Sequence, residues 1–235
     1  MPNIVFSNQY SVEYQQDIEW KTGVKYYKNG DVYIGMFKFN VPHGLGICYY
    51  ARGDKYIGHL KFGDLSGNGV YYFQSGARCE GEYKAGRSNG NGIYYFPSGN
   101  IYEGEFKAGR FNGNGIYYFI NGNRYEGEFK AGEINGNGTS HFKNDDMYEG
   151  EYKAGKINGN GIYYFKNGDR YEGKFKAGQF CDNGTYYLEN INIYEGDNFK
   201  MITYIKENLK RVSFVEGSTT TINVTCTASA KNNLN

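Results

Sequence analysis

The chain has 235 residues, of which 35 are Gly, 26 Tyr and 16 Phe, but only six are Leu. Glycine at roughly twice its usual share lowers helix stability by about 1 kcal/mol per site relative to Ala. That excludes a helical bundle, and an aromatic content of 18% argues against a disordered chain. The net charge of +1, from 26 Lys and Arg against 25 Asp and Glu, provides no whole-molecule field to gather nucleic acid. An all-β protein with an aromatic core is the class these numbers favour. Cys48, Cys79, Cys181 and Cys226 form no CxxC and have no nearby His pair, so neither a metal site nor a disulfide framework is expected.

In chain order, residues 1–9 read as an N-terminal segment. No basic stretch leads into a long apolar run there, and no run of 18 apolar residues follows, so a soluble, cytoplasmic protein is expected. Residues 10–32 read as a worn first repeat in which Gly23, Tyr26, Tyr27 and Gly30 keep their places. From Tyr33 the motif Y-x-G recurs every 23 residues, at Tyr56, Tyr102, Tyr125, Tyr148, Tyr171 and Tyr194, with Cys79 in the one remaining slot. Such a fixed period marks a repeat architecture. Residues 33–193 hold seven 23-residue units, and residues 102–124 match residues 148–170 at 18 of 23 positions.

Each unit holds two strand-like runs, YEGEFK and GIYYF. Reading Asn121-Gly122 as a two-residue type I′ turn pairs Tyr118 with Tyr125 and Ile116 with Gly127. One face then collects Ile116, Tyr118, Tyr125, Gly127 and Phe129, carries no charge, and is expected to be the core. The other collects Tyr117, Phe119, Glu126, Glu128 and Lys130; a shift of one residue would exchange the two. The central glycines, Gly104, Gly127, Gly150 and Gly173, leave room for a ring over bare backbone. Residues 139–146, TSHFKNDD, lose the Asn-Gly turn, and a local kink is expected there. After the array, residues 194–228 read as a decayed repeat followed by a capping helix, 199–212, and a strand in TTTINVTCTA; residues 229–235 read as a flexible tail.

The unit YEGEFKAGxxNGNGIYYFxNGxx resembles the MORN repeat. It departs from the usual form in having Phe106 or Tyr152 for Trp, and Asn-Gly for His-Gly everywhere except His43-Gly44-Leu45-Gly46. The resemblance implies an elongated single-layer antiparallel ribbon of stacked β-hairpins; at about 4.8 Å per strand eight units would span roughly 75 to 80 Å. It also implies a scaffold or adaptor role with cytoskeletal or membrane association.

No catalytic set emerges, because the array repeats the same groups instead of gathering unlike ones, and exposed Glu pairs on an open strand are no acid and base pair. His43 falls in a turn slot, His59 in a Glu slot and His141 in a core-face Tyr slot, all read as structural. No cofactor, metal or nucleic acid is expected. Recurrent GNG precedes a β-run, unlike a dinucleotide loop. The leading expectation is a non-catalytic scaffold that binds protein partners. Its candidate contact residues are Tyr94, Tyr117 and Tyr163 on the charged face, and Phe39, Leu60 and Phe62 in an apolar N-terminal third. One alternative is a peripheral adaptor on anionic membrane, using Arg87, Arg110 and Lys156; another is an accessory array of a separate enzyme. Self-association into a homodimer is left open.

Overall fold

The computed structural model describes residues 20–181 and 184–187, and the backbone of 212–214 and 221–224. Among the described residues eighteen strands lie in one antiparallel sheet. They are β1 (Trp20–Tyr26), β2 (Val32–Lys38), β3 (Val41–Tyr49), β4 (Lys55–Lys61), β5 (Asp64–Tyr72), β6 (Arg78–Lys84), β7 (Arg87–Tyr95), β8 (Ile101–Lys107) and β9 (Arg110–Tyr118). The second half holds β10 (Arg124–Lys130), β11 (Glu133–His141), β12 (Met147–Lys153), β13 (Lys156–Tyr164), β14 (Arg170–Lys176), β15 (Gln179–Phe180), β16 (Gly184–Tyr187), β17 (Val212–Phe214) and β18 (Thr221–Val224). Up to β14 each strand pairs with the one before it in sequence, β8 with β9 and β9 with β10 for example. The strand expected in TTTINVTCTA appears as β18, which pairs with β16 and with β17. The expected helix at 199–212 lies outside the described residues, except for Val212, which opens β17; so do residues 1–19 and 229–235.

Two turn types alternate, and the Asn-Gly site is a turn but not the two-residue type I′ turn expected there. The type I′ turn, which needs positive φ at both central residues, is formed by Ala-Gly: Ala108 and Gly109 have φ of 52° and 84°, and Lys107 faces Arg110 across them. Ala85, Ala131, Ala154 and Ala177 repeat this, with Phe39-Asn40 and Phe62-Gly63 in the first two units. Asn-Gly instead fills the second and third places of a three-residue loop. The Phe119 N–H donates to the Asn123 carbonyl at 2.9 Å, the Gly122 N–H donates to the Phe119 carbonyl at 3.0 Å, and Gly122 takes φ of 92°. This is the type I turn with a left-handed third residue that three-residue hairpin loops favour. Residues 139–146 keep the same turn without a kink, because Asp145 takes φ of 68° in the glycine place, and the Phe142 N–H still reaches the Asp146 carbonyl at 2.9 Å.

One extra loop residue shifts the register by one and exchanges faces on half the strands. Tyr117, not Tyr118, faces Tyr125, and Gly115, not Ile116, faces Gly127. The aromatic face therefore combines Tyr125, Gly127 and Phe129 with Tyr117 and Gly115, while Ile116 and Tyr118 share the charged face with Glu126 and Glu128. His141, exposed and opposite Met147 and Arg124, also belongs to the charged face and not to the core.

The core is a row of phenol rings lying over glycine pairs. Tyr33, Tyr56, Tyr102, Tyr125, Tyr148 and Tyr171 are at most 1% exposed. The Tyr125 O–H donates to the Glu128 carbonyl at 3.1 Å, and a Cβ built on Gly138 would stand 2.4 Å from the Tyr125 hydroxyl. Tyr56, Tyr102, Tyr125 and Tyr148 also pack edge-on against the aromatic residue 27 positions later, as in Tyr102 with Phe129 at 4.8 Å and Tyr148 with Phe175 at 4.9 Å. Burial of each such ring contributes about 1.5 to 3 kcal/mol, and edge-to-face pairing adds to that. The spacing of 27 joins neighbouring units, so a single layer acquires a core without a second sheet.

Candidate binding surfaces

The glutamates of the charged face divide into two kinds. Opposite Glu105, strand β9 bulges between Phe111 and Gly115, which exposes backbone N–H groups. The Glu105 carboxylate accepts from the Asn114 N–H at 3.0 Å; Glu128 and Glu151 do the same for Asn137 at 2.9 Å and Asn160 at 3.0 Å. These glutamates clamp the bulge, a role the even spacing of Glu and Lys conceals. Glu103, Glu126, Glu149 and Glu172 instead stand in a row that crosses the sheet and alternates with Ile93, Ile116, Thr139 and Ile162.

In the N-terminal units that row changes character. Val24, Ile34, Ile47, Ile57 and Val70 follow one another across β1 to β5 with no carboxylate between them. Glu80 then begins the alternation. Val24 is 50% exposed, Ile34 42% and Ile57 38%, and beside them lie exposed Tyr26, Leu45 and Tyr49. Sequence reasoning missed this row, although its signal was present: a β-branched residue after the motif Tyr in two units, Ile34 and Ile57, where Glu stands later. Phe39 and Phe62, 57% and 60% exposed, occupy the type I′ turns at one edge of the same region. Trp20 and His43 extend this cluster, with His43 edge-on to Phe62 at 4.8 Å. Leu60 does not join it: at 4% exposure, opposite Leu65, it belongs to the core.

Tyr94, Tyr117 and Tyr163 lie on the aromatic face, half-buried against the core, and not on the charged face as expected. Two are also tied into a ladder along the three-residue turns. Asp146 accepts the Lys166 N–H and the Tyr163 O–H, each at 2.8 Å. Asn100 accepts the Ile120 N–H at 2.8 Å and donates to the Tyr117 hydroxyl at 3.1 Å. Tyr94 makes no such bond, because Ala77 stands where these units have Asn or Asp.

Ala77 is one of three truncations close together. Cys79 replaces the ring-bearing Tyr, and Ser88 stands where neighbouring units have Leu65, Phe111 or Ile134. Over them opens a groove of about 490 Å³, walled by Tyr71, Phe73, Tyr83, Tyr94, Phe96, Phe106 and Phe111, with Arg52, Arg87 and Arg110 at its margin. Burial pushes the Cys79 thiol up from its ordinary value, which disfavours the reactive thiolate.

Arg87, Arg110 and Lys156, the candidate anion contacts, are exposed beside type I′ turns, each opposite a lysine. Lys84, Arg87, Lys107 and Arg110 put four cations on two adjacent turns, whereas the flanking turns pair Lys61 with Asp64 and Lys130 with Glu133.

Among solved structures, the TCP domain of Drosophila melanogaster SAS-4, in complex with a proline-rich motif of Ana2, is similar at 12% identity and a TM-score of 0.40. The match covers 81% of this chain and 94% of that one. The TCP10 domain of Danio rerio CPAP is similar at 10% identity and a TM-score of 0.43, over 71% of this chain and 78% of that one. No curated protein sequence matches the chain. The MORN repeat model matches seven consecutive segments, 33–55, 56–78, 79–101, 102–124, 125–147, 148–170 and 171–190, the same units that the tyrosine–glycine core and the paired turns define, and the chain belongs to the MORN-repeat family.

Proposed function

We propose that the chain is a non-catalytic scaffold that holds a protein partner on the charged face of its first units, with Phe39 and Phe62 at the margin of the contact. MORN repeats in general serve protein or membrane interaction. The observation that carries the reading is the uninterrupted row Val24, Ile34, Ile47, Ile57 and Val70, in which Val24, Ile34 and Ile57 are exposed and Ile47 and Val70 half-buried, where later units interpose Glu. A contiguous exposed apolar patch with a polar surround is the signature of a contact surface.

Ile34→Glu together with Ile57→Glu is the decisive variant. Both substitutions install the residue that Glu103 and Glu126 place in the same slot, so the fold should persist. Affinity capture of partners with the full chain, read by mass spectrometry, should lose its specific partner with this variant, and to a smaller extent with Phe39→Ser and Phe62→Ser. Identical partner sets for the wild type and the double Glu variant would overturn the proposal.

A further inference from the structure

We propose that the groove over Cys79 is a second, separate binding site, one that takes a short acidic peptide segment bearing a bulky apolar side chain. The inference deepens the protein-binding reading but uses the opposite face of the sheet, so the two can fail independently.

The groove arises from a local loss of volume. In every other complete unit a phenol ring covers the central glycine pair, and here the side chain is Cys79. The bare backbone of Gly81 and Gly92 persists, and the Phe106 ring leans over it, 3.2 Å from where a Cβ on Gly92 would stand. Ser88 removes a second large side chain from the wall. The walls are ring faces and edges, suited to an apolar side chain entering from solvent.

Charge selects the occupant. The lining contains three arginines and no carboxylate; Arg52 is already engaged by Asp54 and the Tyr71 hydroxyl, so Arg87 and Arg110 set the charge of the margin. Lys84 and Lys107 face Arg87 and Arg110 across the two turns that border the groove. In a chain with balanced charge, this is a local cationic margin beside an apolar slot. An acidic segment with an aromatic or Leu anchor matches both, with electrostatics steering the encounter and the buried anchor holding it. An anionic membrane would meet the cations but leave the slot unused.

The test uses the full chain and three fluorescein-labelled peptide pools read by polarisation. The first has Asp and Glu flanking a central Leu-Phe pair, the second has Ala-Ala at the centre, and the third has Lys and Arg flanks. The first pool should bind at least tenfold more tightly than either of the others, and binding should weaken as salt rises. Cys79→Tyr restores the residue of the other units and should reduce binding at least tenfold while the melting temperature holds or rises. Ser88→Phe, which fills the slot from the other side, should do the same, and Arg87→Glu with Arg110→Glu should erase the preference for acidic flanks. Equal binding of the acidic and basic pools, undiminished binding by both filled variants, or no binding to the first pool would overturn the proposal. So would sedimentation with phosphatidylserine vesicles that competes with the first pool and is indifferent to Cys79→Tyr, since the cations would then serve a membrane.

Discussion

Residues 79–101 and 102–124 are adjacent copies of one hairpin, yet they differ where it matters for recognition. In the second, the Tyr102 ring is fully buried, stacks on Phe111 at 3.9 Å and donates its O–H to the Glu105 carbonyl at 2.7 Å. In the first, Cys79, Ser88 and the preceding Ala77 delete the ring, its stacking partner and the acceptor for the neighbouring Tyr94. A chain of near-identical units presents the same features everywhere; individuality comes from what a unit omits. The same holds on the charged face, where omission of Glu from the first units leaves an apolar row.

The largest effect that tests this contrast is alkaline unfolding. Burial pushes the Tyr33 phenol up to about 12 and those of Tyr56, Tyr102, Tyr125 and Tyr148 further in the same direction. Below the ordinary value near 10 both folded and unfolded chains keep these protons. Above it the unfolded chain releases them while the folded one holds them, so stability is lost as pH rises from about 10 to about 12. A buried fraction of the tyrosine ionisation signal at 295 nm should therefore be withheld and then released in one step together with loss of the β-sheet circular dichroism signal. Complete tyrosine ionisation with the sheet intact would contradict the buried row.

Next in size, Tyr125→Ala should cost about 3 to 5 kcal/mol in urea unfolding, whereas Cys79→Ala should cost no more than about 1 kcal/mol, because there the ring is already missing. Equal costs would erase the distinction between the units. Glu128→Ala should cost about 1 kcal/mol by releasing the Asn137 N–H. The equivalent Glu82→Ala should be nearly silent, since Glu82 forms no such bond to its bulge. Smallest is a pair of hydroxyl deletions: Tyr163→Phe should lose about 1 kcal/mol with the bond to Asp146, and Tyr94→Phe should lose less than about 0.5 kcal/mol. A reversed order would show that Ala77 does not interrupt the ladder.

The period, the strand pairs and the need of each Tyr for nearby glycine were all legible in the sequence, because each is written into the same positions of every unit. The register was not. Asn121-Gly122 is a strong local signal for a two-residue turn, whereas alanine carries no local signal for positive φ. What selects the longer loop is contact between units: the Ile120 N–H is held by Asn100 and the Lys143 N–H by Asn123. Such bonds join residues 20 apart, beyond the reach of a turn propensity. That one-residue difference moved Tyr117 and Tyr163 to the aromatic face. Leu60 was misjudged for a related reason, since apolar character at an unusual position does not reveal whether the side chain faces the core or the solvent.

Pairing only between sequence neighbours also governs how the protein is made. Between β1 and β14 no strand has to wait for a distant partner, so the sheet can grow by addition of one hairpin to the last. Low sequence separation of contacts favours rapid folding, and growth of this kind can follow synthesis of the chain from its N-terminal end. The first hairpins, whose exposed row we assign to a partner, would then be complete while the later units are still being synthesised, and could engage that partner before the rest of the ribbon exists.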